Sequence, residues 1–309
     1  MTSLVAIDWG SSNRRASLLR DGVVVDRHHD AEGVLTCGGD FAASLDALLA
    51  RWPELPADAP VLMSGMIGSR SGWVEAPYVP CPARLDALGT QLIEVPRDDR
   101  FASLSSRRIC IVPGVCQYDE PDVMRGEEIQ ILGSMLLGGG DGIYVLPGTH
   151  SKWVIVENGC VTRFRSFMTG ELFALLGKHS SLASLLGADN ASEDMAAFRA
   201  GAAAAAGGGL SHRLFGLRAS VLLGAQGAAS SQSWLSGLLI GAEWHDPHVR
   251  AWIRSAATAA TDGEVRIVGE AHLAHLYAHV AESIGASVRG FAPEASFLAA
   301  IQHLWSSGS

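Results

Sequence analysis

Two short stretches of this chain carry the residue types that grip an anion. One is Asp8-Trp9-Gly10-Ser11-Ser12-Asn13-Arg14, the other Gly148-Thr149-His150-Ser151-Lys152. In each, small residues follow an apolar run, so backbone N–H groups can converge on an anion. The hydroxyls of Ser11, Ser12, Thr149 and Ser151 add donors. Lys152 and Arg14 would supply point charges. Asp8, just before the first turn, is placed to organise Mg2+ through waters. Either turn alone would be an ordinary hairpin with a solvated polar tip. The pairing, the acid on one turn and one of the chain's two lysines on the other suggest a polyphosphate held by one loop from each of two lobes.

Such turns need strands to frame them, and the sequence supplies the frame twice. Val5 to Trp9, Ala16 to Arg20 and Val23 to Arg27 are apolar runs joined by the Gly-Ser-Ser turn and by Asp21-Gly22, a β-meander. The pattern returns at Ile143 to Leu146, Trp153 to Val156 and Val161 to Phe164, with a turn at Asn158-Gly159. Gly10 matches Gly148, Ser11 matches Thr149, and Arg14 matches Lys152. Two copies imply two related lobes, expected at 1–137 and 138–309, with Gly138-Gly139-Gly140 as hinge. A helix is expected from Asp40 to Trp52 and a strand at Val61 to Met63. Further helices are expected at about 192–206, 211–223, 232–244 and 247–260, then a strand at Val265–Val268 and a helix at about 271–285. A strand at Ser287–Phe291 precedes a last helix, Pro293–Trp305, which can pack back on the first lobe. Strands alternating with helices give an α/β fold.

Bulk features narrow the function. At 309 residues the chain is long for one core. With 48% hydrophobic and 18% charged residues it is no disordered chain. A net charge of −9 argues against a nucleic-acid or anionic-membrane surface. The start shows no signal-peptide pattern, and no apolar stretch reaches membrane-spanning length. Five scattered cysteines without C-x-x-C fit a reducing cytoplasm better than disulfides or zinc.

The two turns resemble the phosphate-1 and phosphate-2 motifs of the actin/hexokinase/Hsp70 ATPase superfamily. Longer blocks resemble the 2-dehydro-3-deoxygalactonokinase family: IDWGSSNRRA (7–16), GMIGSRSGWVEAPYVPCPA (65–83), DVMRGEEIQILG (122–133), LPGTHSKWV (146–154), FMTGELFALL (167–176) and SGLLIGAE (236–243). The likeness runs from about residue 4 to residue 304. It implies two ribonuclease-H-like lobes with a central cleft. It also implies ATP and Mg2+ as cofactors and phosphorylation of the terminal hydroxyl of 2-dehydro-3-deoxy-D-galactonate, a small sugar acid.

The resemblance distributes roles among residues. Related carbohydrate kinases place an Asp base after a Gly at a helix start; here Glu127 follows Gly126, with Glu128 and Asp122 as alternative bases. A 2-keto acid carries a carboxylate, for which Arg70 and Arg125 are candidates because a guanidinium binds it bidentately. Trp73 could lie against the carbon chain and Glu75 accept from hydroxyls, while Thr169, Gly170 and Glu171 open a helix, Thr169 being a candidate N-cap. Gly269-Glu270 resembles the superfamily's adenosine motif, with Glu270 where a second Gly usually stands. His272, His275 and His279 share a helix face and read as solvated rather than as a metal site. Three other readings stay open: a kinase of another small sugar acid, a non-catalytic sensor on the same fold, and an ATPase with a protein partner. A homo-oligomer is compatible with each.

Overall fold

The computed structural model describes residues 2–186, 193–258 and 263–307. Its first strands, β1 (Ser3–Trp9), β2 (Arg14–Arg20) and β3 (Val23–Asp30), form the expected antiparallel meander. Register sets Asp8 opposite Arg15 and Trp9 opposite Arg14. α1 (Phe41–Leu49) starts at Asp40, whose carboxylate accepts from the Ala43 N–H at 3.1 Å. β4 (Val61–Ser64) runs parallel to β1. The chain continues through β5 (Tyr78–Pro80), β6 (Ala83–Arg84), β7 (Ile93–Glu94), α2 (Ala102–Ser105), β8 (Ile109–Ile111), β9 (Gly114–Gln117), β10 (Asp122–Met124) and α3 (Glu127–Ser134). The first sheet has the order β3-β2-β1-β4-β8-β7; β10-β9-β5 form a small separate sheet. Alternate residues of β1 and β4 (Val5, Ile7 and Trp9; Val61 and Met63) bury against Leu45, Leu48 and Leu49 of α1. Each such side chain contributes about 1.5–3 kcal/mol of burial.

The second half opens with β11 (Gly142–Leu146), β12 (Ser151–Glu157) and β13 (Cys160–Phe167). Helices follow: α4 (Thr169–His179), α5 (Met195–Ala205), α6 (Leu210–Leu222), α7 (Ala228–Trp244) and α8 (Pro247–Thr258). Then come β14 (Val265–Val268), α9 (Ala271–Ser283), β15 (Val288–Phe291) and α10 (Pro293–Ser307). Residues 192, 259 and 260 of the expected helices lie outside the described residues. β11 runs parallel to β14, and β14 to β15. Read from β13, the strand order is β13-β12-β11-β14-β15, the same as β3-β2-β1-β4-β8. The two meanders are thus the outer parts of two sheets with one topology.

By contacts the chain forms two compact units. The first comprises Met1–Asp141, Glu157–Arg163 and Pro293–Ser309; the second comprises Gly142–Val156 and Phe164–Ala292. Within the first, the Asp141 carboxylate accepts from the N–H groups of Asn158 and Gly159, and Cys160–Val161 pair with β6. α10 packs there against α3: a Cβ on Gly133 would lie 1.6 Å from the Ser296 carbonyl oxygen, and Ser134 Oγ is 2.9 Å from Ser296 Oγ. Within the second unit, α5 and α7 touch through glycines. A Cβ on Gly201 would lie 2.0 Å from Trp234 O, and one on Gly237 1.9 Å from Phe198 O. Among the described residues, no helix is long and apolar enough to cross a membrane.

Candidate active site

In the first unit, three chain segments meet at two glycines. Gly65, just after β4, has φ +91°, and a Cβ there would lie 2.9 Å from Trp9 O and 3.3 Å from Asp8 Oδ1. Gly126, just before α3, has φ +105°, and its Cβ would lie 3.3 Å from Gly65 Cα. Both positions require glycine, by dihedral and by close approach. They bring the end of β1, the end of β4 and the start of α3 to one place.

Asp8 is half-buried, and burial raises its pKa, opposed by the Arg15 guanidinium 3.4 Å away. Glu127 is half-buried and its Oε2 accepts from the Arg125 N–H at 2.9 Å. Glu128 is fully buried, with both carboxyl oxygens 2.8 Å from the Gly126 nitrogen, whose N–H donates to them. Burial first, then the Glu127 carboxylate, push the Glu128 carboxyl up to about 8. Asp122 sits on β10 and accepts from the Val123 N–H at 2.8 Å.

The two candidate arginines differ in setting. Arg70 is exposed. Arg125 is buried: Nη2 donates to Ala76 O at 2.7 Å, the guanidinium lies 4.2 Å from the Tyr78 ring centroid, and Nε and Nη1 have no acceptor among the described residues. Glu75 is exposed; Trp73 packs against the first core and stacks on Phe41 at 6.5 Å. Gly10 closes the first turn by donating to Asn13 O at 2.9 Å, with Ser12 and Asn13 exposed and Ser11 O accepting from the Leu35 N–H at 3.0 Å.

Arg14, expected to supply charge at that turn, belongs to the core instead. It pairs with Asp30 at 2.7 Å, donates to Ser44 and lies over the Trp9 ring at 4.8 Å. The reason is strand alternation: Arg14 faces the packed side of β2, and Arg15 the side of Asp8.

In the second unit, the turn Gly148–Ser151 and the start of α4 pack together. Gly170 touches the turn: a Cβ there would lie 2.6 Å from Gly148 O. Thr149 O accepts from the Glu171 N–H at 3.0 Å, and the exposed His150 pairs with Glu171 through Nε2. Thr149 is exposed, whereas Ser151 and Lys152 are buried. Thr169 is the first residue of α4 rather than its N-cap, a position Met168 holds; its hydroxyl donates to Glu243. A pocket of about 360 Å³ opens here. Gly148, Thr149, Thr169, Gly170 and Tyr277 line its polar part, and Phe173, Leu239, Ile240, Leu273 and Leu276 its apolar part.

Gly269 abuts the same turn, since a Cβ there would lie 3.3 Å from Pro147 Cδ. Glu270 precedes α9, exposed and without a side-chain capping bond. His272 lines the pocket, and His275 and His279 sit with Nε2 atoms 3.0 Å apart. Among the described residues, no group of three or more His, Cys, Asp or Glu could hold a metal ion.

Sequence reasoning missed two residues. Arg15 faces Asp8 because β2 begins at Arg14, two residues before the strand expected from the sequence. The one signal for Glu243 was a lone acid in the apolar run Leu238–Trp244, which does not disclose its partners.

Two α/β units with one strand order define an ATPase fold of the actin/hexokinase/Hsp70 class. The fold is shared with the activator of 2-hydroxyisocaproyl-CoA dehydratase from Clostridium difficile, at TM-score 0.50 and 11% identity over 99% of this chain and 96% of that one. The chain belongs to the 2-keto-3-deoxy-galactonokinase family, whose model matches residues 8–304. It is 34% identical to the 2-dehydro-3-deoxygalactonokinase of Escherichia coli (strain K12), over 97% of this chain and 96% of that protein. It is 37% identical to a Rhizobium meliloti (strain 1021) protein named "Probable 2-dehydro-3-deoxygalactonokinase", over 97% of both. A Sinorhizobium meliloti crystal structure given the same enzyme name superposes at TM-score 0.86, with 34% identity over 98% of both chains.

Proposed function

We propose that this chain phosphorylates the 6-hydroxyl of 2-dehydro-3-deoxy-D-galactonate with ATP, giving 2-dehydro-3-deoxy-6-phospho-D-galactonate in the breakdown of galactonate. The observation that carries the reading is the Gly65–Gly126 contact, which sets the helix start bearing Glu127 beside the strand end bearing Asp8. Glu127 is the base: it is the half-exposed carboxylate of the helix start, whereas Glu128 is sealed in the interior. Its task is to accept the proton of the attacking hydroxyl. Arg125 and Arg70 are the candidate partners of the substrate carboxylate. Two buried nitrogens without acceptors favour Arg125, because a buried donor left unpaired is costly unless a ligand meets it. Trp73, Glu75 and Glu171 are the further candidate contacts; Thr169, which lines the second unit's pocket and donates to Glu243, goes with the nucleotide there.

A nucleotide fits the second unit: the pocket combines an apolar wall with the Gly148–Thr149 backbone, and among the described residues beyond its chain neighbours no atom lies within 4 Å of a Cβ built on Gly148. Lys152, Gly269 and Glu270 are assigned to the nucleotide with it. Mg2+ fits Asp8, since this cation favours one or two carboxylates together with waters and phosphates. Bound ATP would supply the phosphoryl group, and Mg2+ would neutralise charge on it. Five free cysteines accord with work in a reducing cytoplasm.

The test is ADP release measured against a panel of sugar acids. The proposal expects 2-dehydro-3-deoxy-D-galactonate to give the highest kcat/KM, and Glu127→Gln to lower kcat by about 10²–10⁴. Turnover unaffected by Glu127→Gln would remove the base assignment. Higher kcat/KM with another sugar acid would shift the substrate, and no ADP release with any of them would favour a sensor.

A further inference from the structure

Beneath the Gly148–Ser151 turn lies a carboxylate with no role in the mechanism above. Glu243, at the C-terminal end of α7, is 1% exposed. Its Oε1 accepts from Tyr277 Oη at 2.6 Å and from the Thr169 hydroxyl, and its Oε2 accepts from Trp153 Nε1 at 2.8 Å. Tyr277 Oη is also 2.8 Å from Ser151 Oγ. Burial raises the pKa of Glu243, and these hydrogen bonds hold it down.

The donors come from three elements. Ser151 and Trp153 start β12 directly after the turn, Thr169 starts α4 beside Gly170, and Tyr277 lies on α9. Thr169, Gly170 and Tyr277 all line the pocket with Gly148 and Thr149. The acid is chemically required. A carboxylate only accepts, so it satisfies hydroxyls on one oxygen and the indole on the other. A glutamine would turn an N–H against one of these donors. A buried carboxylate carries a desolvation penalty, which makes it a poor choice for filling a core and a good one for fixing three donors in place.

We infer that Glu243 is a positioning residue for the nucleotide phosphates: through Thr169, Tyr277 and Ser151 it fixes the Gly148–Ser151 turn against the start of α4. This rests on the kinase reading. The experiment is steady-state kinetics of Glu243→Gln with ATP and sugar acid varied separately, with Tm measured alongside. A rise of about tenfold or more in KM for ATP is expected, with KM for the sugar acid within about twofold of wild type. Thr169→Val should raise KM for ATP too. Combining it with Glu243→Gln should add less than about twofold, since Thr169 acts through the carboxylate. If Glu243→Gln does not fold, Tyr277→Phe, which keeps the acid and removes one donor, should raise KM for ATP about threefold or more. Unchanged KM for ATP with only a lowered Tm, or effects of Thr169→Val and Glu243→Gln that multiply, would overturn the inference while leaving the kinase reading intact. No ATP-dependent turnover by the wild-type chain would overturn both.

Discussion

Replacing Glu128 by glutamine should remove a pH dependence of stability that the wild-type chain carries. The folded carboxyl titrates at about 8, against 4.5 for an ordinary glutamate, because burial and Glu127 disfavour its charge. A carboxyl raised in the folded state contributes fully below the lower value and loses its contribution as pH rises through the upper one. Between pH 4.5 and about 8 the folded chain holds a proton that the unfolded chain has released. Each pH unit in that window then lowers stability by up to about 1.4 kcal/mol, or about 5 kcal/mol across it. The total is an upper figure, since ionisation draws in water and relaxes the surroundings. The side-chain amide of the Glu128→Gln variant is neutral at every pH and keeps an oxygen that accepts from the same Gly126 N–H. Urea unfolding at pH 5, 6.5 and 8.5 is the assay. The two proteins should match at pH 5, and the variant should be more stable by several kcal/mol at pH 8.5. Parallel pH profiles would refute the claim that Glu128 is buried and neutral.

Other outcomes follow from the same geometry. Arg14→Met should destabilise by about 1–3 kcal/mol in urea, because Asp30 loses its buried guanidinium partner and, among the described residues, keeps only His28 and the Glu32 N–H. Arg15→Met, at an arginine 52% exposed, should leave stability nearly unchanged and lower kcat through Asp8. Gly133→Ala should destabilise by about 1–3 kcal/mol or more by forcing α10 off α3, read by thermal unfolding. Gly170→Ala should raise KM for ATP more than KM for the sugar acid, since its methyl group displaces Gly148 and Thr149.

The repeated meander was legible because its strands are local, apolar and separated by turn residues. The helix at Asp40 was legible for a similar reason: cap and periodic face lie within one segment. The small sheet β10-β9-β5 was not, since three- to four-residue strands leave no periodic trace and β5 pairs with β9 across 36 positions. Choosing between Arg14 and Arg15 needed the packed face of β2, which adjacent like residues cannot reveal. Trp73 reads nearly as well as core as contact, and its stacking on Phe41 appears only in the fold. The phosphate turns and the Gly-Glu-Glu helix start stood out by composition. Glu243 did not, because the partners that give a buried acid its purpose lie 74, 90 and 34 positions away.

The seating of α10 on α3 bears on how the chain is made. The first unit is assembled from both early and late sequence, while the second lies wholly between residues 142 and 292. On a ribosome the second unit can complete its core while the first still lacks a helix against Gly133 and Ser134. For that interval the helix that bears Glu127 lacks the partner seated on its far end. Synthesis therefore orders the two units opposite to their order in the sequence: the lobe begun first is finished last.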